Sequence, residues 1–575
     1  MFLSQIEIKN FRSIKETTLT FSKGLNVIIG RNNTGKTAVV DALRICLSYG
    51  KQWRDIYISK DDFHIDVSSL DSQASPIEFH LTFNRDTPEE TGIYHDLLVQ
   101  KENGDQEFQL HFIYSLKEKD KIKWVIWGGD NKGQNVSSDM MDAIQYVYLN
   151  PLRDAVASLR PVRWNRIGEL FASLVLDDRG NKVDDDKKEE LAQRLSSTVK
   201  QDADWTSLIK AGEKKIKDHL GNTSIEEDRS DIDLNFLPFE FRRIVDNIRV
   251  QLPIFTESLL NGNSTKQKYF QLSQNGLGYN NLIYIATVLG DLINKKEIEP
   301  ERYFALLIEE PEAHLHPQLQ NLFFEYMNQL KDKGIQLFIT SHSPTITSKV
   351  ELDSLLVLQK KDHAITNMAI RNSGLSDNNK KHLLKFLDVT KSQLFFANGV
   401  ILVEGISEAL LLPVIAKKAG YNLVKSGIEV VNIGGVAFEH FAKLFNNDDQ
   451  AKNLAAKCAI VTDDDKQGNG NISDRAKNTK GYEKQNLKVV LADVTFEKEI
   501  FDQNKALVKT VYGQMHIKTQ INDVNDLLDK LKSNKDKSEL AHNLSVRLSE
   551  SQEDFSNFTV PEYIQKAIKW VIEGE

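Results

Sequence analysis

The sequence predicts a multidomain α/β protein, and three features of its hydrophobic pattern support this fold class. Near the start, an apolar strand, a glycine-containing loop and a helix follow one another in residues 24–50. From about 156 to 260, apolar residues recur with helical spacing. After about 395, short apolar strands alternate with helical stretches, which is typical of a parallel sheet.

The length and composition of the chain are compatible with a multidomain globular protein and argue against a membrane-spanning one. Its 575 residues are enough for about three or four domains of roughly 150 residues each. With 40% hydrophobic and 27% charged residues, the composition is that of a globular protein, and no apolar run approaches the roughly 18 residues of a membrane span. Two distant cysteines suit a reducing cytoplasm, where we expect the protein. The net charge of -9 neither requires nor excludes a nucleic acid partner, since a local basic patch suffices for binding.

The elements, taken in order, divide the chain into four predicted segments. Residues 1–155 hold mainly strands and one early helix, and 156–260 form a helical insertion whose last helix is expected over 239–252. Residues 261–394 add a long helix and two buried strands. Residues 395–575 form the second α/β unit, with a mainly helical end. The strands expected in the first segment, besides the opening one, read IEFHLTF, FQLHFIYSL, IKWVIWGG and IQYVYLNPL.

The stretch GRNNTGKT, residues 30–37, fits the phosphate-binding pattern G-x-x-x-x-G-K-T. The glycines let backbone N–H groups approach phosphates, the lysine reaches the β- and γ-phosphates, and the threonine hydroxyl can ligate Mg²⁺. A chance glycine loop is the alternative, and the flanking strand and helix argue against it. The residues expected to bind ATP here are Gly30, Asn33, Gly35, Lys36 and Thr37.

A second group of nucleotide-site residues follows two later strands. In ALLIEEPEAHLHP, Glu309 would support Mg²⁺ and Glu310 would polarise the water that attacks the γ-phosphate. The alternative is an acidic helix cap after a buried strand. In FITSHSP, His342 ends the next strand and could contact a γ-phosphate, although a lone histidine is usually structural.

Acidic residues also end two strands of the last segment. In GVILVEGISEA, Gly405 permits a tight turn that lets Glu404 project from the strand, and a helix starting near residue 407 keeps Glu408 close. In CAIVTDDDKQGNG, Asp463 and Asp465 should lie on one side of an extended strand end, with Asp464 on the other, before a turn through glycines.

Each of these acidic clusters alone could be an acidic turn at a strand end. Together at the carboxyl edge of a parallel sheet they would repel one another, unless a cation holds them. Hard carboxylate oxygens suit Mg²⁺ or Mn²⁺. The same tripeptide at 184–186 lies in a polar, lysine-rich run, and we expect only a solvated helix or loop there.

The nucleotide-site motifs resemble those of ABC-type ATPases of the SMC, Rad50 and RecF group. IEIKNFRSIKE resembles the opening strand of that group, and LSQNGLGYNN resembles its signature loop. The resemblance implies that Ser273, Gly276 and Gly278 act in trans on ATP held by another subunit. The chain departs from the pattern in lacking a clean LSGG, long heptad arms and the usual Walker B aspartate, which Glu309 replaces. A Q-loop residue is not evident, and Asp62 is a weak candidate.

The order E-G-x-x-E, G-G, D-x-D of the last segment resembles a Toprim domain. A P-loop ATPase followed by Toprim is the arrangement of the OLD (overcoming lysogenization defect) family of nucleases, and the resemblance spans nearly the whole chain. It implies that Glu497 in DVTFEKEIF helps bind a second metal and that Lys537 in DKSELAHNLS is a catalytic lysine. The alternatives are a helix surface charge and a solvated lysine, and Lys535 is a rival for the catalytic role.

The resemblance completes the fold class: an ABC-type P-loop ATPase with a helical dimerisation insertion, then a Toprim Rossmann-like domain with a helical C-terminal extension. It implies an ATP-regulated, divalent-metal-dependent DNA endonuclease with a role in anti-phage defence. Two metals would act, the first held by some of Glu404, Glu408, Asp463 and Asp465. The implied partners are double-stranded DNA, a second copy in a homodimer or a higher homo-oligomer, and a helicase or another defence-system protein.

Two other functions fit the same motifs. One is an ATP-gated DNA clamp or sensor without nuclease turnover, in which the Toprim domain is a scaffold. The other is a primase- or topoisomerase-like Toprim enzyme, although nothing in the sequence resembles the partner domains or the attacking tyrosine that such enzymes need. The sequence leaves open whether ATP activates or inhibits cleavage.

Overall fold

The computed structural model describes residues 1–50, 54, 56–65, 74–151, 154–174, 176–177, 179–221, 233–236, 239–254, 269–361, 364–388, 390–435, 437–466, 471–516, 521–531 and 533–574. Parts of the predicted insertion, 222–232 and 255–260, and the glycine turn at 467–470 lie outside these residues. Among the described residues, no helix combines the length and the apolar character that a membrane span needs.

The strands of the described residues form four sheets. In chain order they are β1 Phe2–Phe11, β2 Ile14–Thr20, β3 Leu25–Gly30, β4 Ile77–Asn84, β5 Leu98–Gln100, β6 Gln106–Lys117, β7 Lys121–Gly128, β8 Ile144–Leu149, β9 Gln251–Pro253, β10 Tyr269–Gln271, β11 Tyr303–Glu309, β12 Ile335–Ser341, β13 Leu355–Lys361, β14 Ala364–Ala369, β15 Gly399–Val403, β16 Ile428–Asn432, β17 Lys457–Asp463 and β18 Leu487–Ala492.

The α-helices of the described residues lie mainly between and after these strands. In chain order they are α1 Lys36–Leu47, α2 Glu90–Ile93, α3 Ser138–Asp142, α4 Ala155–Ser158, α5 Arg166–Ser173, α6 Asp185–Gln201, α7 Ala203–Gly221, α8 Phe241–Val245, α9 Leu277–Ile298, α10 Pro317–Gln329, α11 Pro344–Thr347, α12 Asp377–Phe386, α13 Ile406–Lys418, α14 Leu423–Ser426, α15 Phe438–Ala442, α16 Asp474–Lys480, α17 Phe496–Gln503, α18 Lys505–Met515, α19 Val524–Lys530, α20 Asn534–Glu550, α21 Gln552–Asn557 and α22 Glu562–Glu573.

The central sheet carries the predicted nucleotide-site motifs. Its strand order is β14-β13-β3-β12-β11-β8, and every neighbouring pair is parallel except β13 with β14. All residues of β3, β11 and β12 are buried, as the long apolar runs in these segments predict. Because β3, β12 and β11 are adjacent and parallel, the loops that follow them meet at one edge of the sheet.

An antiparallel sheet packs on one face of the central sheet. Its strand order is β2-β1-β4-β6-β5, with β7 paired to β6. Alternate residues of β4 are buried, and they share an apolar core with α1 and with Ile28 of β3. The strong alternation in the sequence therefore marks a sheet with one buried face.

A second parallel sheet, the C-terminal sheet, lies on the other side of the central sheet. Its order is β16-β15-β17-β18. One face of β15, with Val400 and Leu402, shares a core with Val27 and Ile29 of β3. The other face, with Ile401 and Val403, packs against the C-terminal helices. The two sheets are thus joined by one continuous apolar layer.

Most predicted elements are present in the structure, and one is wrong. The predicted strands of the first segment, the long helix α9, the parallel strands after 395 and the helical end all form. The helix predicted over 239–252 ends at Val245, and residues 251–253 instead form β9, which pairs with β10. The prediction failed because a short apolar stretch with helical spacing can also form a strand when a partner strand is available, and here β10 is that partner. The boundaries at 155, 260 and 394 stay predictions.

Replacing Phe395 with alanine should loosen both parallel sheets together. Phe395 is 1% exposed, and its turn, residues 391–396, packs against β3 of the central sheet and β16 of the C-terminal sheet. We expect the free energy of unfolding to fall by about 3–5 kcal/mol, the usual cost of emptying a buried aromatic site. Hydrogen exchange should then show lower protection in β3 and β15 alike.

The matched control is Phe501→Ala, which empties a site in the separate core beneath the C-terminal helices. This variant should lower protection in α17 and α20 and leave β3 unchanged. Equal loss of protection in β3 from both variants would contradict the shared layer.

Candidate active sites

The loop after β3 has the backbone conformation that its glycines predict. Gly30 and Gly35 have φ values of 154° and 86°, and a Cβ on Gly30 would stand 2.4 Å from the Leu358 carbonyl oxygen. Asn33 adopts φ 62°, a left-handed conformation that asparagine tolerates better than most residues. Gly35 precedes the first turn of α1, so the loop presents backbone N–H groups to a bound anion.

Lys36 is held inside this loop. Its Nζ donates to the carbonyl oxygens of Gly30 and Arg31, both at 2.8 Å. Burial lowers its pKa to about 8, and the neighbouring Glu310 opposes this shift. The ammonium group is therefore poised at the centre of the loop, where a phosphate could replace the carbonyl contacts.

Glu309 lies at the end of β11 and faces Thr37. Thr37 Oγ1 donates to Glu309 Oε2 at 3.1 Å, which joins the two predicted Mg²⁺ supports. Burial raises the pKa of Glu309. Tyr148 also donates to Glu309, at 2.7 Å, and the Arg44 guanidinium stacks 3.7 Å from the Tyr148 ring centre. Sequence reasoning missed Tyr148, because only the parallel pairing of β8 with β11 brings it there.

Glu310 and His342 meet at the adjoining strand ends. His342 Nε2 lies 3.3 Å from Glu310 Oε1, and Glu310 has a φ of 44°, a strained value for this residue type. Burial lowers the pKa of His342, and nearby Lys36 lowers it further. Glu312, also missed from the sequence, accepts from Ser341 Oγ at 2.6 Å and from the His342 N–H at 3.0 Å. It therefore fixes the turn that presents His342.

The predicted signature residues lie just before and within the start of α9. Ser273 and Gly276 are exposed, as are the neighbouring Leu277 and Tyr279. Gly278 is required for packing, because a Cβ there would stand 2.3 Å from the His314 carbonyl oxygen.

Asp62, the weak Q-loop candidate, makes hydrogen bonds that stabilise the local fold. Its carboxylate accepts from Arg12 Nε at 2.7 Å and from the Ser59 N–H at 2.7 Å. Arg12 also contacts Asp41 of α1, at 2.6 Å. These contacts tie the loop of residues 59–62 to α1.

In the C-terminal sheet, Glu404 and Glu408 lie where the sequence predicts them. Glu404 follows β15, and its Oε1 accepts from the Thr462 hydroxyl and from the Asp463 N–H, the latter at 3.3 Å. Glu408 lies in the first turn of α13. The chain bends at Glu404 and Gly405 between β15 and α13, but Gly405 has φ -139°, an extended conformation that any residue adopts, so this turn does not depend on the freedom of glycine. Its missing side chain instead leaves room for Glu408, whose Oε2 would be 3.1 Å from a Cβ.

The three aspartates after β17 have different surroundings. Asp463 Oδ1 accepts from the Phe496 N–H at 2.9 Å. Asp464 is buried and accepts from the Val494 N–H at 2.9 Å. Asp465 follows the end of β17 with φ 44°, so a turn rather than an extended strand sets its direction. At 184–186 the tripeptide caps and starts α6 on the exposed surface, as expected.

Arg475 and Lys537 form ion pairs with carboxylates of the predicted metal site, and Lys466 pairs with Asp464. Arg475 of α16 contacts Glu404 at 3.3 Å and forms an ion pair with Asp465. Lys537 Nζ lies 3.2 Å from Glu497 Oε2, whereas Lys535 is exposed. The geometry places Lys537 rather than Lys535 beside the carboxylates. Arg475 was missed because it lies 71 residues beyond Glu404 in a polar helix without a recognisable motif.

Two buried carboxyl groups of the cluster, Asp463 and Glu408, favour their protonated forms more than exposed carboxyls do. Burial raises the pKa of Asp463 to about 8, and Glu404 and Glu497 raise it too. Burial likewise raises the pKa of Glu408 to about 7. For Lys537, burial lowers the pKa, but Glu497 outweighs this effect and the net shift is upward.

The donor set fits a divalent metal by its chemistry, although the carboxylates are not yet gathered around one point. Hard carboxylate oxygens suit Mg²⁺ or Mn²⁺. Across the described ranges, no three histidine, cysteine or acidic side chains stand close enough to hold a metal. Arg475 and Lys537 occupy Glu404, Asp465 and Glu497, which accounts for this spacing.

A cleft of about 640 Å³ separates the phosphate loop from the C-terminal sheet. The residues that line it include Arg31, Asn33, Lys360 and Asn398. Arg31 donates to the Asn398 side chain, and Gln359 accepts from the Ala455 N–H at 2.7 Å. These polar contacts join the ATPase part to the residues just before β15 and β17, at the edge of the C-terminal sheet opposite its acidic strand ends.

Comparison with known families matches both halves of the chain. A model of the AAA ATPase domain matches residues 1–159 and 175–347. A model of the TOPRIM domain of overcoming lysogenization defect-like proteins matches residues 395–465. The second match includes Glu404, Glu408, Asp463 and Asp465.

Relatives of similar length share this arrangement at low identity. The chain is 24% identical to endonuclease GajA of Bacillus cereus strain VD045, over 92% of this chain and 89% of that protein. It is 24% identical to OLD nuclease of Thermus scotoductus, over 76% of this chain and 78% of that protein. Among solved structures, the C-terminal region of the Burkholderia pseudomallei OLD protein matches 31% of this chain and 98% of that chain, with 19% identity and a TM-score of 0.25. The chain belongs to the AAA ATPase domain family, whose model matches more than half of it, and it joins this domain to an overcoming lysogenization defect-like TOPRIM domain.

Proposed function

We propose that this protein is an ATP-regulated, divalent-metal-dependent DNA endonuclease. The observation that carries the proposal is that Glu404, Glu408, Asp463 and Glu497 lie near enough to affect one another's charge at one edge of a parallel sheet, with Lys537 paired to Glu497. Buried carboxylates with raised pKa values are typical of functional sites. The names of the relatives, endonuclease GajA and OLD nuclease, support the same activity.

The residues of the C-terminal site divide the chemistry of phosphodiester hydrolysis between them. Glu404, Glu408, Asp463 and Asp465 would hold one divalent cation, and Glu497 would contribute to a second. When bound, such cations activate water and stabilise the leaving oxygen. Lys537 stands beside Glu497, where its charge would offset that of the pentacovalent phosphate.

The ATPase domain would control this reaction. Lys36 and Thr37 would bind the ATP phosphates and Mg²⁺, Glu309 would support the metal, and Glu310 would polarise the attacking water, next to His342. The exposed signature loop would reach ATP on a second subunit, so the active form would be a homodimer or a higher homo-oligomer. Anti-phage defence, double-stranded DNA as substrate and a helicase or another defence-system protein as partner belong to the same proposal.

A DNA clamp without nuclease turnover is the second candidate. The observation that favours it is the pairing of Arg475 with Glu404 and Asp465, which leaves two of the four expected ligands engaged. The two candidates differ in whether metal-dependent cleavage occurs.

Asp463→Asn should abolish cleavage of supercoiled plasmid in Mg²⁺ or Mn²⁺. The amide keeps the size of the side chain but removes a charged metal ligand, and we expect the rate to fall about 100-fold or more. Asp186→Asn, in the exposed copy of the tripeptide, is the matched control and should cut like wild type. The measurement is the rate of nicked and linear product on a gel, with and without ATP.

Glu310→Gln should slow ATP hydrolysis and preserve ATP binding. The carboxylate adjoins Lys36 and His342, and its loss removes the group that would polarise water. We expect the hydrolysis rate to fall about 100-fold, whereas Lys36→Ala should lose ATP binding itself. Phosphate release and equilibrium binding of labelled ATP measure the two effects. A Glu310→Gln protein with normal hydrolysis would exclude this residue from the reaction.

A mixing experiment tests whether the signature loop acts in trans. Lys36→Ala and Ser273→Arg should each lack ATPase activity, the first for want of the phosphate-binding lysine and the second because arginine blocks the exposed loop. A mixed dimer contains one intact composite site, so an equimolar mixture should recover about a quarter of wild-type activity. No recovery from mixtures whose subunits exchange would place the complete site within one chain.

A further inference from the structure

Arg475 makes the most direct contact between a cation and the carboxylates of the C-terminal site. Its guanidinium lies 3.3 Å from both oxygens of Glu404, through two of its nitrogen atoms. One of these nitrogens also contacts Asp465 and lies 3.5 Å from the Asp463 carbonyl oxygen. The same side chain therefore spans the ends of β15 and β17.

The helix that carries Arg475 is fixed beside the site. The Ser473 N–H donates to the Asp464 carbonyl oxygen at 3.1 Å, and the Ser473 hydroxyl caps α16. Farther along the helix, Lys480 Nζ donates to the Val489 carbonyl oxygen of β18 at 2.7 Å. The guanidinium can move away from the carboxylates by side-chain rotation alone, since its backbone is anchored and a third of the side chain is exposed.

Arg475 neutralises carboxylates that would otherwise repel one another, but it also competes with a metal ion for them. Within the part of the chain that the structure describes, it is the one cationic side chain with an ion pair to Glu404 or Asp465. Without it, these carboxylates would repel each other and Asp463 nearby. With it in place, neither Glu404 nor Asp465 can offer its full charge to a metal.

We propose that Arg475 closes the metal-free site and becomes a phosphate-binding residue once Glu404 and Asp465 take up a divalent cation. This inference rests on the proposed nuclease function and names a role for a residue outside the predicted ligand set. A guanidinium presents paired donors that match a phosphate as well as a carboxylate. Released at the rim of the site, Arg475 would bind the non-bridging oxygens of the DNA phosphate next to the scissile bond.

The proposal predicts opposite effects on metal and on DNA for one substitution. Arg475→Gln removes the competing charge, so Mn²⁺ affinity measured by calorimetry without DNA should rise about tenfold. The same change removes a charged phosphate ligand, so DNA affinity in Ca²⁺, another oxygen-binding cation, should fall about tenfold. Neither measurement depends on cleavage.

Two further variants make the comparison specific. Arg475→Lys keeps the charge but loses the paired donors, so its DNA affinity should lie between those of wild type and Arg475→Gln. Lys477→Gln is the matched control, because Lys477 lies on the same helix and pairs only with Asp474 among the described residues. It should change neither affinity, and thermal unfolding of all three variants checks that they fold.

The outcomes separate this proposal from the function on which it rests. An unchanged or lower Mn²⁺ affinity in Arg475→Gln would overturn the proposal and make Arg475 a residue that only organises the carboxylates. An unchanged DNA affinity would also overturn it. If wild type and Arg475→Gln both fail to bind Mn²⁺ while remaining folded, the metal site itself, and with it the proposed nuclease, would be wrong.

Discussion

The apolar layer between the central sheet and the C-terminal sheet is the constraint on which both sites depend. Val27 and Ile29 of β3 and Val400 and Leu402 of β15 belong to one core. Burial on this scale stabilises a fixed arrangement, because separating the sheets would expose large apolar faces to water. The phosphate loop and the carboxylate cluster therefore belong to one body, although the sequence motifs divide them into two domains.

Each parallel sheet builds its site by the same physical means. Strands with little polar character run parallel, their carboxyl ends converge, and the residues just beyond those ends carry charge. In both sites an acidic residue just beyond a strand adopts a positive φ: Glu310 directly follows β11, and Asp465 lies two residues beyond the end of β17. Such strain persists only where surrounding packing enforces it, and here the buried strands supply that packing.

The sequence predicted what depends on local order and missed what depends on topology. Lys36, Glu309 and Glu404 could be found because each follows an apolar run that has to be a buried strand. Tyr148 and Arg475 could not, since they reach the sites through strand pairing and helix placement, and neither stands in a recognisable motif. The error at 239–252 has the same origin, because β9 exists only through its pairing with β10.

The balance of charge at the C-terminal site shows why its carboxylates stand apart. A fold that buried five unpaired carboxylates together would be strongly destabilised. The raised pKa values of Glu408 and Asp463 show that part of this cost remains. Arg475 and Lys537 reduce this cost by pairing with Asp465 and Glu497. A divalent cation that bound here would therefore displace the protons that the raised pKa values favour at Asp463 and Glu408.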